Sequence, residues 1–151
     1  MAISDSKLFS AVPLEAGDGD YNNTTDVFKW VLITEGYDSI DSASVDPTLS
    51  DFTQVTSSGN YVANSTIANT TWTRTGAITT LTGDSWSYAA DGANPTTAKS
   101  LLIYNDTSAD KSAYCVVDLT VDGGVTPADT TQGLTYTVNA NGIYRVTNTT
   151  P

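Results

Sequence analysis

Apolar positions in this chain fall in short runs broken by Gly, Asn, Asp and Thr. "VFKWVLIT", Val27 to Thr34, is rich in β-branched and aromatic residues and apolar on both faces over Trp30 to Ile33, a pattern that predicts a strand lying centrally in a sheet. In "KSLLIYNDTSADKSAYCVVDLT", residues 99 to 120, two apolar runs, Leu101 to Tyr104 and Ala113 to Leu119, flank a polar loop with Asn105, Asp106, Ser108 and Asp110. That is the pattern of a β-hairpin with a longer loop. In its second arm Ala113, Cys115, Val117, Leu119 and Val121 share one face, with Ser112, Asp118 and Thr120 opposite, which predicts a half-buried strand. Shorter strands are predicted at Tyr61 to Ala63, Thr71 to Thr75, Trp86 to Ala89, Leu134 to Val138 and Ile143 to Val146. Asn141-Gly142 between the last two is a strong hairpin signal. "SVDPTLSDF" offers Asp46 as an N-cap and Pro47 as the first helical residue, so a helix of one or two turns is expected there, and nowhere else.

Residues 1–25 carry few apolar groups, Leu8, Phe9, Val12 and Leu14, followed by "EAGDGDYNNTTD". They read as an N-terminal arm ahead of a single domain over residues 26–151. Leu8, Phe9, Val12 and Leu14 form the candidate partner interface, lying across a neighbouring subunit or adding a strand to its edge; folding back on their own domain is the alternative. Several short Thr-rich strands with no βαβ rhythm and no internal repeat make the expected class all-β. The architecture expected is an antiparallel β-sandwich or barrel with at most one short helix and an extended arm. At 151 residues such a domain buries roughly 68–70% of its unfolded surface, enough for a core without disulfides. Cys115, the single cysteine, reads as a core thiol.

Charge narrows the partners. Seventeen acidic against six basic residues give a net charge of −11, and no basic patch exists for a phosphate backbone or an anionic membrane. Nucleic acid and membrane are therefore not expected partners. The first twenty residues lack a cationic stretch and a long apolar stretch, so synthesis and residence in a cytoplasm are expected. The N-x-S/T sites at Asn22, Asn64, Asn69, Asn105 and Asn148 then follow from an Asn- and Thr-rich composition.

Candidate chemistry is sparse. The chain has no histidine, which removes Ser-His-Asp and Cys-His arrangements and His-ligated metals, and no phosphate-cradling glycine loop occurs. "DGDYNNTTD" places Asp18, Asp20 and Asn22 at positions 1, 3 and 5 of an EF-hand-type loop, but Asn23 stands where glycine is required and Lys29 where the bidentate Glu belongs. No metal or cofactor is expected, and a solvated acidic linker is the reading for that stretch. The carboxylates of Glu35 and Asp38, and of Asp118 and Asp122, are close in sequence, as a glycoside-hydrolysing pair would have to be close in space. Solvated turn carboxylates account for them more simply, and no catalytic residue is assigned. Trp72, Trp86 and Tyr88 offer either a sugar-stacking platform or, with each ring alternating with Ser or Thr, inward-facing core rings; core is the expectation.

Taken in order, "VFKWVLITEGYD", "SDFTQVTSSGNYVANSTI", "WSYAADGANPTTAKSLLIYND", "SAYCVVDLT" and "LTYTVNANGIYRV" resemble a family of small structural proteins of tailed double-stranded DNA bacteriophages. The counterparts of the family's pattern are Val31 to Thr34, Gly59 to Ala63, Trp86 to Ala89, Leu101 to Asp106, Cys115 to Asp118 and Leu134 to Val146, within residues 27 to 147. "TAKSLL" stands where the family has A-R-G-A before the apolar strand, and the arm has no counterpart. The resemblance implies a non-enzymatic virion protein, a capsid decoration or cement protein on the outer surface of the head. Its implied partner is the major capsid protein, with self-association into a dimer or trimer. A tail, fibre or head-fibre component is the neighbouring alternative, and a carbohydrate-binding β-module a more distant one.

Overall fold

The computed structural model describes residues 6–13, 25–44, 46–138 and 140–147. The fold is all-β and sandwich-like, built from antiparallel strands. In chain order the strands are β1 (Ser6–Leu8), β2 (Phe28–Ile33), β3 (Ser65–Thr66), β4 (Thr71–Thr75), β5 (Ile78–Thr82), β6 (Trp86–Tyr88), β7 (Ser100–Asn105), β8 (Ala113–Asp118), β9 (Leu134–Tyr136) and β10 (Tyr144–Thr147). They form a five-stranded sheet ordered β1-β8-β7-β2-β3, a three-stranded sheet β10-β5-β4 and a two-stranded sheet β6-β9. Among the described residues no barrel closes: the five-stranded sheet ends at β1 on one side and β3 on the other.

The two longest apolar runs make the centre. Every residue of β7 and β8 is buried, and β2 is buried apart from Lys29. Such strands have no solvent face, so their apolar residues run continuously instead of alternating. The half-buried pattern expected for 113–121 is therefore corrected. Tyr114 and Val116, on the supposed outer face, are fully buried, Asp118 lies inside, and Val121 falls beyond the strand with 99% of its surface exposed. Opposite Ile103 and Tyr104 stand Cys115 and Ala113, so Tyr114 is an extra residue in a bulge that bends the hairpin.

Both faces of this sheet are covered. Directly paired residues share a face, and the row Leu8, Cys115, Ile103 and Trp30 is roofed by β6-β9, whose Trp86 stacks on Trp30 with centroids 5.6 Å apart. The opposite row is Lys7, Val116, Leu102 and Val31, all fully buried except Lys7, and Tyr37 lies over its Lys7 end. Lys7 Nζ donates to the Tyr37 carbonyl at 2.8 Å and sits 4.2 Å over its ring. Leu81 of β5 and Ile67 bring the three-stranded sheet into the same core.

Several expectations change. Of the two readings open for the arm, residues 6–13 follow the second and fold back on their own sheet: β1 pairs with β8, and Phe9 and Val12 are buried in the core, Phe9 against Phe52 at 5.9 Å. Instead of a helix opening at Asp46 there is a 3-10 turn, Leu49–Asp51. Asp46 has φ +52, outside helical space, and the turn is fastened by the Asp51 carboxylate accepting the Thr48 N–H at 2.8 Å. Tyr61 to Ala63 is not a strand; Tyr61 forms an isolated bridge with Ser58, and the strand follows at β3. Asn141-Gly142 does not close a hairpin, since β9 pairs with β6 and β10 with β5. Gly142, with φ +74, instead turns the chain from one sheet to another, where Ile143 N–H reaches the Leu81 carbonyl at 2.8 Å.

Candidate functional site

Five rings gather where the two-stranded sheet meets β2. Trp30 contacts Trp86, Tyr88 at 6.4 Å and Tyr61 at 5.8 Å, while Trp86 stacks on Tyr136 at 4.2 Å. The expected core role of Trp86 and Tyr88 thus holds: both are half-buried and packed against the core. Much of the ring surface a sugar would use is taken by protein rings. Trp72 is also packed against the core, on β4 in another sheet, so the three aromatics do not make one platform. Burial pushes the Tyr61 and Tyr136 phenols up to about 12, Tyr136 further raised by the nearby Cys115.

Asn94, which the sequence reading did not single out, ties the loops below this cluster. Its side chain accepts the Asn60 N–H at 2.8 Å and donates to the carbonyls of Ala89 and Thr130 at 2.9 and 3.1 Å. Gly59, with φ +58, passes so close that a Cβ there would lie 2.5 Å from Asn94 Oδ1. The signal available was "GANP", an Asn-Pro turn.

Asn105 and Asp106 close the other end of β7. Asn105 is fully buried, donating to Asp26 Oδ2 at 2.9 Å and accepting the Thr107 N–H at 3.0 Å. Asp106 lies between Lys29 at 2.6 Å and Lys111 at 3.2 Å. The hydrogen bond from Lys29, ahead of that from Lys111, holds its carboxyl below the usual range despite partial burial. Asn64 and Asn69 adopt left-handed backbone, φ +60 and +53. Three of the glycosylation-like sequons thus have local structural uses, Asn64 and Asn69 in left-handed turns and Asn105 in a buried corner.

The carboxylates singled out above serve the backbone. Glu35 Oε1 accepts the Thr53 N–H at 2.7 Å. Asp118 accepts the Thr120 N–H and hydroxyl at 2.9 and 2.8 Å. Asp122 accepts the N–H groups of Val125 and Thr126, and hydrogen bonding to Thr126 lowers its pKa. Asp38 packs on Gly123, whose carbonyl receives its N–H at 2.9 Å. Among the described residues no three His, Cys, Asp or Glu side chains converge as a metal set. Asp18, Asp20 and Asn22 lie outside the described residues, as does Leu14 of the candidate interface. Leu8 is half-buried and, like Phe9 and Val12, packed on its own domain. Cys115 is a buried free thiol whose pKa desolvation pushes up to about 12. No described helix is long and apolar enough to cross a membrane.

One property of the surface was not visible strand by strand. β4, β5 and β10 contain no Asp or Glu and carry both arginines, Arg74 and Arg145, in a chain of net charge −11. The two-stranded sheet β6-β9 is equally without Asp or Glu, and Asp84, which accepts from Asn69 at 2.7 Å, stands just beyond β5. Against known proteins, no family model, no curated protein and no solved structure matches this chain.

Proposed function

We propose that this chain is a non-enzymatic virion structural protein that decorates the outside of a phage head and stabilises contacts between capsomers. What supports this reading is the ordered set of family-like motifs, of which "VLIT", "LLIYND" and "CVVD" fall on β2, on β7 with its corner, and on β8. A sheet buried on both faces is stiff enough to hold a clamp's shape. The net charge of −11 keeps free subunits soluble and off packaged DNA. Association with the major capsid protein through many modest, repeated contacts, strengthened by self-association, gives firm attachment without one very tight site.

The test is quantitative mass spectrometry of purified virions, with the copy number of this chain taken against the major shell subunit. A ratio near one, or a simple fraction of it, is the expected result. A handful of copies moves the protein to the tail or fibres, and absence from particles overturns the virion reading.

A further inference from the structure

β4 is the outer strand of its sheet, and among the described residues no strand pairs with its free side. Its sequence is TWTRT, every residue exposed except the half-buried Trp72. Natural edge strands are protected from further pairing by proline, bulges, lysines or brevity. β4 has neither proline nor bulge, its register with β5 running unbroken from Thr71↔Thr82 to Thr75↔Ile78.

The turn fixes which backbone groups are open. Only Gly76 and Ala77 join β4 to β5, with Gly76 at φ +62, and in a two-residue hairpin the flanking pair, Thr75 and Ile78, exchanges both hydrogen bonds. By the antiparallel alternation Thr73 and Thr71 also turn their N–H and C=O groups toward β5. The groups of Trp72 and Arg74 therefore point away from the sheet, toward whatever pairs next.

A second copy of the same edge fits them. Outward groups at 72 and 74 allow a two-fold axis at position 72, 73 or 74. An axis at 74 sets Arg74 against Arg74, and an axis at 72 leaves each arginine facing Thr70. An axis at Thr73 sets each Trp72 opposite an Arg74, whose Nε bonds to the Gly76 carbonyl at 3.1 Å within the single chain and whose cation turns onto the exposed part of the indole on pairing, and pairs threonine with threonine at the three remaining positions. No strand of this sheet carries a carboxylate, so pairing at β4 sets no Asp or Glu of one copy directly opposite one of the other.

We propose that β4 pairs with β4 of a second copy across a two-fold axis at Thr73, joining two three-stranded sheets into one of six strands. This gives the self-association in the reading above a place in the fold, and rests on that reading only for the expectation that copies associate.

Sedimentation of the full chain across a concentration series tests it, with twice the 15.9 kDa chain mass expected. Thr73→Asp and Thr73→Lys each set like charges face to face at the axis, about 5 Å apart, and each runs as a monomer with an unchanged circular dichroism spectrum. Mixed in equal amounts they recover a dimer containing one of each. Arg74→Glu, which removes the cation from both ring pairs, is monomeric as well. A wild-type monomer throughout the series, a trimer, a Thr73→Asp variant that still dimerises, or a mixture that stays monomeric overturns the proposal. A monomer found in stoichiometric copies on heads would overturn this edge and leave the decoration reading standing.

Discussion

Tyr61 fills a gap that the sheet itself leaves, and removing its hydroxyl measures what that filling contributes. β3 pairs only with Lys29 and Trp30, and beyond them the outer side of β2 meets residues 53–55 through the single Ile33–Gln54 bridge, which leaves the Leu32 N–H without a backbone partner on that side. There the Tyr61 hydroxyl accepts the Leu32 N–H at 3.0 Å and lies 3.4 Å from the Val55 carbonyl, while the Val55 N–H reaches the Leu32 carbonyl at 2.8 Å. A side chain completes what that bridge leaves open. Tyr61→Phe keeps the ring against Trp30 and Tyr88 but leaves the N–H of a fully buried residue without its partner. An unsatisfied buried donor costs about 1–3 kcal/mol, and in a domain of this size each kcal/mol moves Tm by about 2–4 °C. The expected loss is thus about 2–12 °C, with an unchanged denaturant m-value and faster exchange of the Leu32 amide. Tyr104→Phe is the comparison: its hydroxyl donates to Asn64 at 2.9 Å, a half-buried acceptor that water can serve instead, so about 0.5–1.5 kcal/mol is expected. A Tyr61→Phe loss below about 0.5 kcal/mol, or no larger than that of Tyr104→Phe, would refute the argument.

Three other outcomes follow from the same structure. Tyr61, Tyr104 and Tyr136 are raised from 10.0 to about 12 and Cys115 from 9.0 to about 12, chiefly by burial. Raised acids contribute stability that is complete below their unfolded pKa and lost as pH climbs to the folded value, here from about 9–10 up to 12, at about 1.4 kcal/mol per pH unit for each group. The phenolate absorbance of these three tyrosines should therefore rise together with loss of the fold, and ionisation of all eight tyrosines of the chain near pH 10 in a still-folded protein would contradict this. The Cys115 thiol should resist thiol reagents until denaturant unfolds the chain; fast labelling of the native protein counts against a buried Cys115. Gly124→Ala should destabilise by about 2 kcal/mol or more, because Gly124 has φ +88 and a Cβ there would lie 2.3 Å from Gly36 Cα, whereas Gly92→Ala, with nothing within 4 Å, should be nearly neutral; equal effects in thermal melts would reject the distinction.

What was legible in the sequence depended on how many faces an element buries. β2, β7 and β8 have no solvent face, and their uninterrupted apolar runs announce them within a residue or two. β5 escaped because "ITTLT" carries only Ile78 and Leu81 as apolar residues, and its pairing is set by the Gly76-Ala77 turn more than by hydrophobicity. Asn141-Gly142 shows the converse. A glycine at φ +74 was foreseen as a turn, but the partner of the following strand was chosen by Leu81, some 60 residues upstream, and no local pattern encodes that choice. The arm was left with two readings for the same reason: Phe9 and Val12 are apolar enough to bind any groove, and the fold places them in one of their own domain.

The polar interior bears on function more than any single surface residue. Among the described residues the buried polar side chains are Asn94, Ser100, Asn105, Asp118 and Thr130, and each is already engaged with its own backbone or a neighbouring loop. Ser100 donates to the Glu35 carbonyl and Thr130 to that of Pro95, Asp118 caps the turn after β8, and the two asparagines fasten opposite ends of the molecule. Catalytic sites keep perturbed polar groups turned toward a cleft, available to a substrate. Here the strongest perturbations, at Tyr61, Tyr104, Tyr136 and Cys115, come from burial among core rings. Polar groups used in this way make loops rigid relative to the sheet, which is what a protein needs if it acts through the placement of its edges and outer faces. The proposed decoration role makes that demand, and it directs attention to the β4 edge.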